Sequence, residues 1–385
     1  MIDESEHKTL VSAADFPTLL EAIARCGYTL IGPTIRDHAI AYDEIENAND
    51  LPAGWTDQQK AGSYRLTRRD DNAFFGYNVG PNSWKKFLYP PRLRLWKAHT
   101  TDSGFELEPQ ADETTPQAFV GVRACELQAI AVQDRVLLEG RHVDTEYAAR
   151  RNAVFLLAVQ CAQAGQTCFC TSMGTGPRAK QGFDLALTEL IDEQRHEFLV
   201  EVGSKAGADV LAQTPHRPAT DDEWNLALQA SARAAEEMGR QLDTTEIKEL
   251  LYRNAENSRW DDVAQRCLAC ANCTMVCPTC FCTAIDNVTN LTGETAEQLR
   301  RWDSCFNSPF SYLHGGAVRQ TTKSRYRQWL THKFAAWHDQ FNSSGCVGCG
   351  RCITWCPVGI DVTEEIAAIR ANDAVPETET TLVSS

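Results

Sequence analysis

The 385-residue chain has no long apolar run, no excess of basic charge and no nucleotide-binding loop. Its longest apolar stretch, Ala153 to Val159, is far too short to span a bilayer and reads as a buried strand. A membrane anchor is therefore not expected. Lysine and arginine total 37 against 52 aspartate and glutamate, a formal net charge of −15, which opposes nucleic-acid binding. Neither G-x-G-x-x-G nor G-x4-G-K-[ST] occurs, so no nucleotide site of the chain's own is recognisable. The histidines lack H-x3-H and H-E-x-x-H spacing, which removes the usual mononuclear metal sites.

Cysteine, by contrast, is abundant, with 16 residues. The segment Met1 to Lys8 is acidic and carries no apolar signal core, so the expected compartment is the reducing cytoplasm, where thiols stay free for metal. Eight of the cysteines fall in two copies of one pattern, C-x2-C-x2-C-x3-C-P: Cys267, Cys270, Cys273 and Cys277 before Pro278, then Cys346, Cys349, Cys352 and Cys356 before Pro357. That spacing is the signature of a two-cluster ferredoxin module. Three thiolates in one tight loop cap three irons of a cubane, and the fourth cysteine, carried onward, points to the neighbouring cluster. The expected ligand sets are thus crossed: Cys267, Cys270, Cys273 and Cys356 for the first [4Fe–4S] cluster, Cys346, Cys349, Cys352 and Cys277 for the second. A zinc ribbon needs four ligands and gains nothing from the repeated full motif.

Ahead of this module the sequence alternates strand-like and helical runs. Asp15 to Arg25 spaces its apolar residues as a helix, and Tyr28 to Pro33 and Ala39 to Ile45 read as strands. Ala118 to Val122 is a strand running into a helix over Cys125 to Leu138; Asn152 to Val159, Phe183 to Leu187 and Glu197 to Val202 are further strands. The fold class is α+β or α/β: a mixed α/β domain over residues 1–240, an α-helical ferredoxin-like dicluster domain over 241–370, and a disordered tail over 371–385. Pro215 to Asp222 reads as a connector before a helix from Glu223 to Gln241. Between the two cysteine motifs, Thr295 to Trp302 and Val318 to His338 are both expected to be helices.

The pentapeptide Thr-Cys-Phe-Cys-Thr occurs twice, at 167–171 and 279–283. Upstream of the first copy, Cys125 and Cys161 each follow a strand, so Cys125, Cys161, Cys168 and Cys170 can converge at the carboxyl edge of one sheet and hold a third [4Fe–4S] cluster. The glycine-rich turn Met173 to Pro177 lets backbone approach that site. Buried small thiols are the other reading of this set. Cys26 is expected in the core. Cys280, Cys282 and Cys305 are expected to be buried thiols or S–H donors, a further cluster with His314 as fourth ligand being the less favoured reading. The basic run from Arg319 to Lys333 is expected to be a solvated helix face, with docking or compensation of cluster charge as the minority view.

Gly121 to Ile130, Cys168 to Pro177 and the two ferredoxin motifs with Trp302-Asp-Ser-Cys305 between them resemble one family. It is the iron–sulfur beta subunit of cytoplasmic bidirectional [NiFe]-hydrogenases, or sulfhydrogenases, together with its relative, the electron-transfer subunit of anaerobic sulfite reductase. The likeness runs from Phe74 to Asp361. It implies a non-catalytic relay of single electrons between a flavin subunit that handles NAD(P)H and [NiFe]-hydrogenase or reductase subunits. A redox-sensing or structural iron–sulfur protein is the alternative of another class.

Overall fold

The computed structural model describes residues 8–109 and 114–373; most of the expected disordered tail lies outside the described residues. An eight-stranded sheet carries the first half of the chain. Its spatial order is Arg217–Pro218, Lys8–Ser12, His196–Val202, Leu185–Ile191, Val154–Val159, Gln117–Val122, Thr29–Arg36 and Ala39–Glu44. The four strands from Leu185–Ile191 to Thr29–Arg36 are mutually parallel, and the flanking strands pair antiparallel.

The central strands are almost continuously apolar because both faces are covered. Ala118, Val120, Phe155 and Leu157 face one core with Phe16 and Phe198; Phe119, Leu156 and Ala158 face the other with Trp84 and Leu127. At Gly121 the register slips against the neighbouring strand, with φ at +88°, and Val122 joins the face of Phe119. Such a bulge re-aims the chain beyond it. Arg123 comes next, then the helix Ala124–Leu137 with Cys125 in its first turn.

The second half packs helices Ile247–Arg253, Arg259–Arg266, Thr322–Thr331 and Val362–Ala371 around Leu250, Trp260, Trp329, Leu330 and Ile366. The expected helix over Val318 to His338 forms from Thr322, passing through a π-helical turn at His332–Ala336 into Trp337–Phe341. The segment Thr295–Trp302, in contrast, is a strand and not the expected helix. It pairs with Thr283–Thr289 on one side and with Arg92–Thr101 on the other, and Gly104–Pro109 completes the four-stranded sheet. Partners so distant in sequence outweigh the modest helix propensity of its Ala, Glu, Gln, Leu and Arg residues. Cys26 is also not in the core: it caps the helix Phe16–Arg25 and is exposed. Among the described residues, no helix is long and apolar enough to cross a membrane.

One buried ion pair joins the halves. Arg351, inside the second cysteine motif, donates from its guanidinium to the carboxylate of Glu126, and both side chains are fully buried. Arg351 also donates to the carbonyls of Gly80 and Asn82, each at 2.9 Å. The second carboxylate oxygen of Glu126 accepts from Tyr42 Oη at 2.8 Å, Trp84 Nε1 at 3.0 Å and the Arg123 N–H at 3.2 Å. Removing one charge strands the other. Arg351→Ala or Glu126→Ala should each lower stability by about 3–5 kcal/mol in urea denaturation, and the double replacement by much less than the sum.

Candidate metal centres

The two ferredoxin loops have one backbone geometry. In each, the N–H two residues beyond the first cysteine donates to that cysteine's sulfur, Ala269 to Cys267 and Gly348 to Cys346, both at 3.4 Å. The left-handed positions coincide as well: Ala269 (φ +51°) and Ala271 (+66°) in the first loop, Gly348 (+65°) and Gly350 (+74°) in the second. This shape turns three sulfurs inward.

Three cavities are walled by cysteines, five around the first and four around each of the others. Cys267, Cys270, Cys273, Cys352 and Cys356 line the first, with Phe306, Tyr326 and Trp329; Cys277, Cys346, Cys349 and Cys352 line the second, with Trp329 and Lys333. Each cavity brings together the crossed set expected from the motif, and Cys352 borders both. Cys125, Cys161, Cys168 and Cys170 line the third, with Asn78, Arg123 and Pro177. Cys125 and Cys161 follow the carboxyl ends of two adjacent parallel strands, and Gly176 packs where a Cβ would stand 3.0 Å from the Cys170 sulfur. The atom-free space is 430, 380 and 350 Å³ in turn, counting the part that opens to solvent. Among the described residues, no three His, Cys, Asp or Glu side chains converge on a single metal ion. Four thiols around a cavity, rather than on a point, fit a polynuclear cluster.

Burial sets the protonation of these thiols. It pushes Cys125, Cys273 and Cys352 far above the usual thiol range, with neighbouring sulfurs adding to the effect. Cys168 and Cys346 are pushed up to about 12, again first by burial. Without positive charge the sites therefore hold neutral thiols, and iron binding must expel protons. Cys277 is the exception. The Cys280 S–H donates to it and lowers its pKa against the effect of burial, and Lys333 lowers it further. Lys333 Nζ, 5% exposed and seated in the π-helical turn, donates to Cys277 Sγ at 3.2 Å and Thr279 Oγ1 at 2.9 Å. Lys333 of the basic run is thus bonded to a motif sulfur, and Arg325 pulls the Cys267 pKa down against the larger effect of burial, whereas Lys323 and Arg327 pair with Asp261 and Glu256.

Arg123 serves the third cavity in the same way. Its guanidinium, anchored on the carbonyls of Phe75 (2.7 Å) and Tyr77 (2.8 Å), pulls the Cys161 pKa down against the larger effect of burial. Neither Lys333 as a ligand partner, nor Arg123, nor Arg351 stands out from sequence pattern alone. The available signals were an arginine directly before Ala124-Cys125 and an arginine between two motif cysteines.

The second and third cavities abut. The Phe169 N–H donates to the Gly348 carbonyl at 2.8 Å, Thr175 Oγ1 donates to the Val347 carbonyl at 2.7 Å, and the hydroxyls of Thr167 and Thr354 meet at 2.7 Å. A Cβ on Gly348 would lie 2.6 Å from the Phe169 oxygen, and one on Gly350 2.4 Å from that of Thr167. Cys352 lines both the first and second cavities, so the three sites stand in a row that ends at exposed Cys270.

The paired loops predict opposite responses to mutation. Gly348→Ala or Gly350→Ala should strip iron from the second and third sites and spare the first, read as a loss of about eight of about twelve atoms per chain. Ala269→Gly and Ala271→Gly, at left-handed positions where a Cβ is already accommodated, should keep the iron and raise stability by up to about 1 kcal/mol. Replacing Cys161 or Cys168 by Ser should remove only about four iron atoms per chain.

Residues 266–360 match the family model of the 4Fe-4S dicluster domain. Over 291 residues the chain is 30% identical to sulfhydrogenase 2 subunit beta of Pyrococcus furiosus, a match covering 74% of this chain and 82% of that protein. That identity and coverage, together with the dicluster domain, give one conclusion: the chain belongs to the family of hydrogenase beta-type iron–sulfur subunits, which transfer electrons.

Proposed function

We propose that this chain relays single electrons between a flavin-bearing subunit that handles NAD(P)H and a catalytic [NiFe]-hydrogenase module, within the cytoplasm. The observation that carries the reading is the row of three four-cysteine sites, each adjoining the next. Cys267, Cys270, Cys273 and Cys356 would hold one [4Fe–4S] cluster, Cys346, Cys349, Cys352 and Cys277 a second, and Cys125, Cys161, Cys168 and Cys170 a third. When bound, such clusters accept and release one electron each with little rearrangement of their ligands.

The chain's own residues set how that happens. Apolar side chains such as Phe169, Trp329 and Val362 shield the middle site from water, which strengthens every charge interaction inside it. The N–H groups of Ala269, Gly348 and Ile360 donate to ligand sulfurs at 3.3–3.4 Å and stabilise added negative charge. Lys333 does so most strongly, being a full charge in a buried position. At the outer end, Cys270 is exposed beside Leu268 and Val358, which are 63% and 39% exposed. That rim offers a partner an apolar contact next to the last site. The relative's name, subunit beta of a sulfhydrogenase, supports a hydrogenase as the catalytic partner.

Two measurements test this. The isolated, iron-loaded chain should be reduced by dithionite but stay oxidised with NADPH or NADH until the flavoprotein is added; reduction by the nicotinamide alone would sink the reading. Lys333→Met should lower the midpoint potential of one cluster, since losing a unit charge at this range at an effective dielectric near 20 is worth on the order of 200 mV. A redox titration followed by electron paramagnetic resonance reads that shift, with the other two clusters unmoved.

A further inference from the structure

Cys280, Cys282 and Cys305 do not line any of the three cavities. Cys280 is engaged with Cys277, to which its S–H donates. The other two face each other. The Cys282 carbonyl accepts the Asp303 N–H at 2.8 Å, which brings the turn after the strand Thr295–Trp302 back beside the second Thr-Cys-Phe-Cys-Thr copy. From that turn Cys305 donates both its S–H and its backbone N–H to the Cys282 sulfur. Both residues are partly exposed.

The surroundings favour charge on Cys282. Lys85, 4% exposed, donates to the Cys280 carbonyl at 3.1 Å and lies 3.9 Å over the Trp302 ring. Lys333 is the second buried ammonium nearby. Among the described residues neither has a carboxylate partner, so sulfur supplies the anion they face. The Cys305 hydrogen bond comes first in lowering the Cys282 pKa, against burial, and the two lysines add to it; Cys305 is correspondingly raised. A thiolate with a neutral thiol held against it is the arrangement of an attacking and a resolving cysteine.

We propose that Cys282 and Cys305 form a redox-active dithiol that exchanges with low-molecular-weight disulfides. The Cys282 thiolate attacks one sulfur of the small disulfide, whose S–S bond breaks to release one thiolate. Cys305 then attacks the Cys282 sulfur of the mixed disulfide, passing its proton to a departing thiolate, and the second small thiol leaves. The balance is one small disulfide, one Cys282 thiolate and one Cys305 thiol giving the Cys282–Cys305 disulfide, one small thiol and one small thiolate. Two electrons pass from the cysteine pair to the small molecule, and excess small thiol reverses the reaction. Cys305 directly precedes Phe306, which lines the first cavity, so closure of the bridge acts on that wall.

The test uses the full-length, iron-loaded chain under anaerobic conditions. It is equilibrated in dithiothreitol buffers of defined oxidised-to-reduced ratio, quenched with iodoacetamide, digested and analysed by mass spectrometry. The expected result is joint loss of alkylation at Cys282 and Cys305 with a linked peptide, following a two-electron curve. Cys282→Ser and Cys305→Ser should each abolish the linked peptide with iron content unchanged. Two outcomes overturn the proposal: no linked peptide from the wild-type chain at any ratio, or a loss of about four iron atoms per chain in either variant, which would make these thiols cluster ligands.

Discussion

The arrangement depends on the buried pair of Arg351 and Glu126. Arg351 lies between Cys349 and Cys352, and Glu126 directly follows Cys125, so this one contact ties a cysteine loop of the second cavity to a helix that walls the third. An ion pair taken so far from water is not a cheap source of stability. Its value is geometric. A planar guanidinium bonded to one carboxylate and two carbonyls admits little rotation or sliding. Tyr42 and Trp84 hold the carboxylate from the other side, and Trp84 is stacked between Tyr42 and Phe119 of the central sheet. The eight-stranded sheet is thereby connected, through rigid aromatic side chains, to the loop that faces the middle site.

Charge is the second constraint. The chain carries a net −15, and clusters with thiolate ligands add more negative charge, yet buried cations stand beside the sulfurs. Local geometry resolves this. Lys333 at 3.2 Å from the Cys277 sulfur acts in a dry environment, whereas surface carboxylates act through water and salt over a Debye length of about 8–10 Å. The acidic surface and the basic interior therefore serve different ends, one bearing on solubility and association, the other on the electron affinity of the sites.

How far the sequence discloses this depends on the range of each interaction. The C-x2-C-x2-C-x3-C-P repeats are legible because one short loop must present three sulfurs, a local demand that fixes spacing. The convergence of Cys125 and Cys161 was readable because parallel strands place their carboxyl ends together. The strand Thr295–Trp302 was not, because its partner Arg92–Thr101 lies about two hundred residues away and nothing in Thr-Ala-Glu-Gln-Leu-Arg-Arg-Trp announces it. Arg351 and Glu126, 225 residues apart, are illegible for the same reason. The glycines carry a subtler lesson. Gly348 and Gly350 read as ordinary turn residues, and Ala269 and Ala271 show that the turn alone accepts alanine. The demand for glycine in the second loop comes from the backbone of 167–170 pressed against it, a contact visible only in three dimensions.

The twin Thr-Cys-Phe-Cys-Thr segments show how far environment decides the use of identical residues. In the first, Phe169 is fully buried and its N–H is held by Gly348, so the flanking cysteines splay to one side and into a cavity that Cys125 and Cys161 complete. In the second, Phe281 is only partly buried against Trp337, and the segment leads directly into the strand Thr283–Thr289. There the cysteines meet single partners, Cys280 with Cys277 and Cys282 with Cys305, and buried lysines replace the arginine of the first site. A pair of thiols separated by one aromatic residue is therefore not itself a ligand set. It walls a cavity where packing opens a void and brings two more sulfurs to its rim; where packing closes on it instead, each thiol is left against a single sulfur of another segment.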